Sequence, residues 1–287
     1  MARSGLFCLD ARAAPARTTI RLTLCVHQHR AAHHRGVTYP ILEYDPARRA
    51  MIEPTALHAP RAMPEAAVLC FFGDVIERLS AEGRARECAR WRDEEGAHVM
   101  YDVETDGGRV TLLHPGVGAA LAAIRLENAI ALGCRRFVAC GGAGALVPEL
   151  ALGHVVVTTS AVRDEGTSYH YLPPDREVLA DPEAVRSVEA LLHERGVPCV
   201  LGKTWTTDGP YRETPARVSR RREEGCLVVE MEAAAFLAVA QFRQVPLVSL
   251  LYAGDSLAGE EWDHRSWDLH DGREPLFWLA AEAALRL

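Results

Sequence analysis

Two near-continuous apolar runs, Ala67-Val68-Leu69-Cys70-Phe71-Phe72 and Pro246 to Tyr252, constrain this chain most. Each has the length of a strand. A strand wet on one face alternates apolar and polar residues; an uninterrupted run is buried on both faces. Shorter strand patterns cover Val99–Val103, Val110–Leu113, Arg136–Cys140, His154–Thr159, Cys199–Thr204 and Cys226–Val229. The turn Thr105-Asp106-Gly107-Gly108 joins the first two. Helical patterns fall between the strands, at Val75–Ala89, Ala119–Leu132, Asp181-Pro182 to Gly196, Thr214-Pro215 to Glu224, Ala233–Ala240 and Glu274–Leu285. This alternation predicts an α/β fold whose sheet is covered by helices on both faces. No internal repeat or linker interrupts it after residue 66, so residues 66–287 are expected to form one domain.

The chain before that point differs. Residues 1–36 hold six Arg and one Asp, are weakly periodic and read as a disordered tail or as translated sequence upstream of the true start. His27, His29, His33 and His34 lie there, and no metal site is expected from them. Residues 37–65 carry Pro40, Pro46, Pro54, Pro60 and Pro64 and read as an extended arm over the domain or a neighbouring subunit. The tail contributes +5 to the net charge of −7, so the rest carries −12. An acidic body argues against a nucleic-acid polymer or an anionic membrane as partner. No apolar run approaches membrane-spanning length. The eight Cys include no CxxC pair, and Cys70, Cys140, Cys199 and Cys226 sit in apolar runs as small core hydrophobes. This is the cysteine usage of a reducing cytoplasm.

The stretch Val228-Val229-Glu230-Met231-Glu232-Ala233-Ala234-Ala235 carries the chemistry. A buried strand ends there, two carboxylates flank a methionine, and an Ala-rich buried helix begins. Carboxylates in such apolar surroundings need partners. A sugar diol is one, since a carboxylate accepts from two adjacent hydroxyls. The helix dipole accounts for one Glu at such a start and less well for Glu-Met-Glu. Two glycine clusters, His114-Pro115-Gly116-Val117-Gly118 and Gly141-Gly142-Ala143-Gly144, each follow a strand. The first can turn the chain so that backbone N–H groups meet an anion; the second reads as a tight turn or as small residues that let a ligand approach, and two such clusters after strands point to a ligand crevice at the carboxyl ends of the strands. Pro246–Tyr252 likewise ends in Ala253-Gly254-Asp255.

Together these segments resemble the nucleoside phosphorylase superfamily: uridine phosphorylase, hexameric purine nucleoside phosphorylase and the methylthioadenosine nucleosidases. The resemblance covers about residues 66–287 and rests most on Val229-Glu230-Met231-Glu232-Ala233 with Asp255 after the next strand. Thr207-Asp208-Gly209-Pro210-Tyr211 is similar to the family's Asp-x-Phe-Tyr loop, and Val156 to Arg163 is similar to uridine phosphorylase. The resemblance implies a central twisted mixed sheet flanked by helices on both faces. It implies a pentosyltransferase that uses phosphate as co-substrate, needs no cofactor or metal, and assembles as a homodimer or homohexamer. Glu230, Met231 and Glu232 would hold the ribose, Asp255 would protonate or hydrogen-bond the leaving base, and Pro210 and Tyr211 would lie beside it. Gly73, Gly116 and Gly142 would line the phosphate side.

The sequence departs from the pattern at the phosphate. Where the phosphorylases follow the sheet strand with Arg-x-Gly-Ser/Thr, this chain has Ala139-Cys140-Gly141-Gly142. The Gly-Asp-Pro-x-Arg turn appears as Gly73-Asp74-Val75-Ile76-Glu77-Arg78, which makes Arg78 the expected substitute cation, with Arg163 also within reach of the site. No Arg matches the one lent by a neighbouring subunit near Glu95 to His98. Three functions follow: a phosphorylase releasing free base and ribose 1-phosphate, a nucleosidase using water with Glu77 or Asp74 as base, and a non-catalytic nucleoside-binding protein.

Overall fold

The computed structural model describes residues 39–265 and 270–287; the expected tail at 1–36 lies outside the described residues. The arm has a 3-10 turn at Pro40–Leu42 and a single helical turn, α1 (Pro54–Leu57), and is otherwise irregular. Strand β1 (Ala66–Cys70) is buried at every position, as its uninterrupted apolar run requires. Helix α2 (Gly73–Ala81) buries Val75, Ile76 and Leu79. Three antiparallel strands follow: β2 (Ala85–Asp93), β3 (Gly96–Thr105) and β4 (Gly108–Leu113).

The helix expected over Val75–Ala89 is therefore two elements. Gly83, at φ +72°, ends α2, and the chain re-enters the sheet at its edge. Ala85 and Ala89 are both buried, at a spacing of four that suits a helix face, and a β-bulge between Glu87 and Ala89 shifts the register against β3.

Helix α3 (Ala119–Leu132) leads to β5 (Arg136–Ala145). Then come β6 (Val155–Asp164), β7 (Glu177–Leu179) and α4 (Pro182–Glu194). The expected cap of α4 is present, with the Glu183 amide donating to Asp181 Oδ1 at 2.9 Å. Strand β8 (Cys199–Thr207), α5 (Pro215–Glu223), β9 (Cys226–Glu230), α6 (Ala233–Arg243), β10 (Leu247–Ser256) and α7 (His270–Arg286) complete the chain. Cys70, Cys140 and Cys226 are buried thiols, as expected, and Cys199 is half-buried. Among the described residues, no helix is long and apolar enough to cross a membrane.

All ten strands form one mixed sheet. Helix α6 packs on α3, and α7 packs on α4. Strand β5 controls the topology. Along one edge it pairs with β10 from Phe137↔Leu247 to Ala145↔Ser256. Along the other it pairs with β1 only as far as Cys140↔Cys70, and with β9 only at Gly144↔Val229 and Ala145↔Val228. Because β9 joins β8, β8 joins β6 and β6 joins β10, this half of the sheet closes on itself. Strands β1 and β9 end facing each other, leaving residues 141–143 of β5 without a strand neighbour on that edge. This is where the strand order splits, the place an α/β sheet opens a crevice.

The strand expected to end at Cys140 runs on through the glycine cluster, so residues 141–144 are part of β5. Its glycines are explained by close neighbours. A Cβ on Gly141 would stand 2.9 Å from the Phe71 ring, one on Gly142 3.1 Å from Tyr252, and one on Gly144 2.7 Å from Leu257. Strand β10 likewise runs on through Ala253-Gly254-Asp255, with an irregularity between Ala253 and Ser256.

Candidate functional site

A cavity of about 200 Å³ opens at the gap beside β5. One wall is the β9–α6 corner, Glu230, Met231, Glu232 and Ala233. The facing wall is apolar and small: Phe71, Ala139, Gly141, Gly142, Phe236 and Leu251, with Ser249 among them. Val117 covers one side.

The corner is held from inside. The Glu230 carboxylate accepts from Thr206 Oγ1 at 2.6 Å and Thr204 Oγ1 at 3.2 Å, and from the amides of Glu232 at 2.7 Å and Ala233 at 2.6 Å. Thr206 Oγ1 in turn accepts from the Ala234 amide at 2.9 Å. These bonds satisfy the first amides of α6, which otherwise have no partner inside the helix. Glu230 thus fixes the strand-to-helix corner, and its oxygens are taken up in doing so. Glu232 is aimed differently. Its Oε1 accepts from the Gly118 amide at 2.5 Å, which leaves Oε2 to a ligand in the cavity. Burial, then the charge of Glu230, pushes Glu232 up to about 8. Burial pushes Glu230 up as well, while its hydroxyl and amide donors pull it back.

The first glycine loop divides its work in a way its sequence did not show. Gly116, expected at the phosphate, stands at φ +79° with its amide donating to His114 Nδ1 at 3.0 Å; a Cβ there would lie 2.2 Å from Leu121. It shapes the loop. Gly118, two residues on, makes the contact to Glu232.

The remaining expected site residues lie away from the cavity lining. Gly73 begins α2. Arg78 bonds Glu274 on α7 at 2.6 Å. Arg163 is buried in its own loop, donating to Ser168 Oγ at 2.8 Å and to the carbonyls of Pro173 and Leu172. Pro210 and Tyr211 are exposed, Tyr211 at 98%. Asp255 accepts from Trp262 Nε1 at 2.7 Å, and its Oδ1 approaches Gly144. Beside it is a carboxyl that sequence reasoning missed. Burial, then the charge of Asp255, pushes Glu213 up to about 7, against the pull of Arg217. No local motif surrounds Glu213, and only the fold brings it to Asp255.

One group has the makings of a metal site. Asp93, Glu95 and His98 bring ligand atoms within 4.8 Å of one another. The Arg125 guanidinium already occupies that position, 2.6 Å from Asp93 and 2.7 Å from both Glu95 and His98.

The site is thus a buried carboxyl pair at a strand-to-helix corner, over a glycine-lined gap in a mixed sheet. The profile of the Phosphorylase superfamily matches residues 65–275, and the chain belongs to that family. It is 30% identical over 144 residues to the guanosine phosphorylase of Halorubrum lacusprofundi, covering 50% of this chain and 60% of that protein. It is 32% identical over 167 residues to the uridine phosphorylase of Salmonella typhimurium, covering 53% and 62%. The matched part thus spans about three-fifths of these relatives. A purine nucleoside phosphorylase from Toxoplasma gondii, solved in complex with immucillin-H, shares the fold with a TM-score of 0.68 and 21% identity, covering 78% of this chain and 91% of that one.

Proposed function

We propose that this chain cleaves the N-glycosidic bond of a ribonucleoside with phosphate, giving free base and ribose 1-phosphate. The observation that carries the reading is Glu232: a buried carboxyl, fixed by the Gly118 amide through one oxygen and open to the cavity through the other. Ribose hydroxyls donate to that oxygen, and Met231 packs against the sugar. As the C1′–N bond breaks, its electron pair leaves with the base, and a phosphate oxygen bonds to C1′. The base takes its proton from the Asp255–Glu213 end, where Glu213 holds a proton near neutral pH. The sugar passes through an oxocarbenium-like state, which the carboxylate corner stabilises.

The names of the relatives support a purine or pyrimidine ribonucleoside as substrate. Exposed apolar side chains on the arm and α3, including Met51, Ile52, Leu57 and Ile124, support assembly as a homodimer or homohexamer. Hydrolysis by water is the second reading. It is favoured by one observation: the cavity lining holds two carboxyl groups and no Lys, Arg or His. Incubation with guanosine and with uridine, with and without phosphate, tests the proposal. Free base and ribose 1-phosphate only when phosphate is present is the expected result. Free ribose at full rate in phosphate-free buffer refutes it.

A further inference from the structure

We propose that Ser249 supplies the hydroxyl that holds the attacking oxygen, at the floor of the cavity beside Ala139. The assignment rests on the phosphorolytic reading above and names a donor for its nucleophile.

Ser249 and Ala139 are partners across β10 and β5. Ser249 and Leu251 line the cavity while Leu250 and Tyr252 do not, so strand alternation turns the Ser249 side chain to the cavity side. That side chain is 2% exposed, and its Oγ has no hydrogen-bond partner among the described residues. A buried hydroxyl without a partner is uncommon and calls for an explanation. A second one stands next to it. Strand β6 pairs antiparallel with β10 through Val157↔Leu250, which carries Thr158 to the flank of Ser249. Thr158 is fully buried, and its Oγ1 is also unpartnered.

A third donor comes from the backbone. The Phe71 amide donates to Cys140 O at 3.0 Å, so the polar groups of Cys140 face the β1 edge of β5. By alternation the Gly142 amide faces the same edge, beyond the end of β1. A hydroxyl and an amide on the cavity lining, with Thr158 beside Ser249, fit an oxygen ligand needing two to four partners. They supply neutral donors where Ala139 and Gly142 offer no side-chain donor. Ser249 donates a hydrogen bond, and no bond to it forms or breaks.

The test uses Ser249→Ala and Ser249→Thr in the full chain, with rates measured against phosphate and against guanosine or uridine. Losing a hydrogen bond to a charged oxygen predicts that Ser249→Ala raises the phosphate KM about tenfold or more. The nucleoside KM stays within about twofold, and Ser249→Thr keeps most of the phosphate affinity. Thr158→Val is expected to add a smaller rise. A Ser249→Ala protein with wild-type melting temperature and unchanged phosphate KM overturns the assignment, and so does an equal rise in both KM values. If wild type needs no phosphate, the phosphorolytic reading fails separately. Ser249 then stands on a tenfold loss of hydrolytic kcat in Ser249→Ala, and an unchanged kcat overturns it.

Discussion

The two ends of the cavity are built on opposite principles. At the β9–α6 corner, four donors converge on Glu230 and the Gly118 amide fixes Glu232. At the far end stand Phe71, Ala139, Gly141 and Leu251, with Ser249 unbonded. The first end is held in place by its own hydrogen bonds; the second acquires partners only when something enters. A preorganised end sets geometry, and a bare end leaves the choice of nucleophile to a few neutral donors. The strongest way to break this contrast is to dismantle the organised end. Glu230→Ala strips a buried acceptor from two amides and two threonine hydroxyls. Leaving such donors unsatisfied costs about 1–3 kcal/mol each when nothing replaces the acceptor. A loss of about 3 kcal/mol or more in denaturant unfolding, with activity abolished, is expected. Stability within about 1 kcal/mol of wild type would mean that the corner holds without its carboxylate.

Glu232→Gln tests the next step, because it keeps the shape and removes the ionisable acid. Its expected signature is a fall in kcat/KM of about tenfold or more, because the ribose loses an acid that can ionise as the sugar turns cationic, with the fold intact. An unchanged kcat/KM would remove Glu232 from the ribose site.

The same residue gives a pH dependence of definite sign. Folding raises Glu232 from 4.5 to about 8. The folded state therefore binds this proton more tightly than the unfolded chain. Stability falls as pH rises from about 4.5 towards 8, and it levels off above. Glu213, raised from 4.5 to about 7, acts in the same direction. Melting temperature measured across this range is expected to decline in wild type and to decline less in Glu232→Gln. Equal slopes would show that Glu232 is ionised throughout.

The organised end was legible in the sequence because it is local. Strand, two carboxylates and helix follow one another within Val228 to Ala235, and each carries its own signal. The sheet was legible for the same reason, since β1 and β10 announce themselves as apolar runs. The bare end is assembled from Phe71, Ala139 and Ser249, which are far apart in the chain, and a serine in an apolar strand signals nothing until its neighbours are known. Two local patterns misled. Ala85 and Ala89 repeat at helical spacing in a bulged edge strand, and Gly141 to Gly144 look like the end of a strand although β5 runs on through them, crowded by Phe71, Tyr252 and Leu257. Glycine reports either a bend or a close neighbour, and only the structure tells which.

The smallest expected effect is also the sharpest test of the bare end. Arg78 stands near the first glycine turn in sequence, which is why it is expected there as the substitute phosphate ligand. In the fold it projects from α2 towards α7, where Glu274 holds it, 45% exposed. Glu274 keeps Arg84 at 3.3 Å and the Trp278 indole at 2.9 Å even without it. An exposed pair of this kind contributes about 0–1 kcal/mol. Arg78→Ala is therefore expected to change stability by less than about 1 kcal/mol and the phosphate KM by less than about twofold. Steady-state rates at varied phosphate decide it. A tenfold rise in the phosphate KM would mean that Arg78 leaves Glu274 and swings to the anion when phosphate enters. The far end would then be a cationic site completed by its ligand, and the contrast between the two ends would be one of timing and not of chemistry.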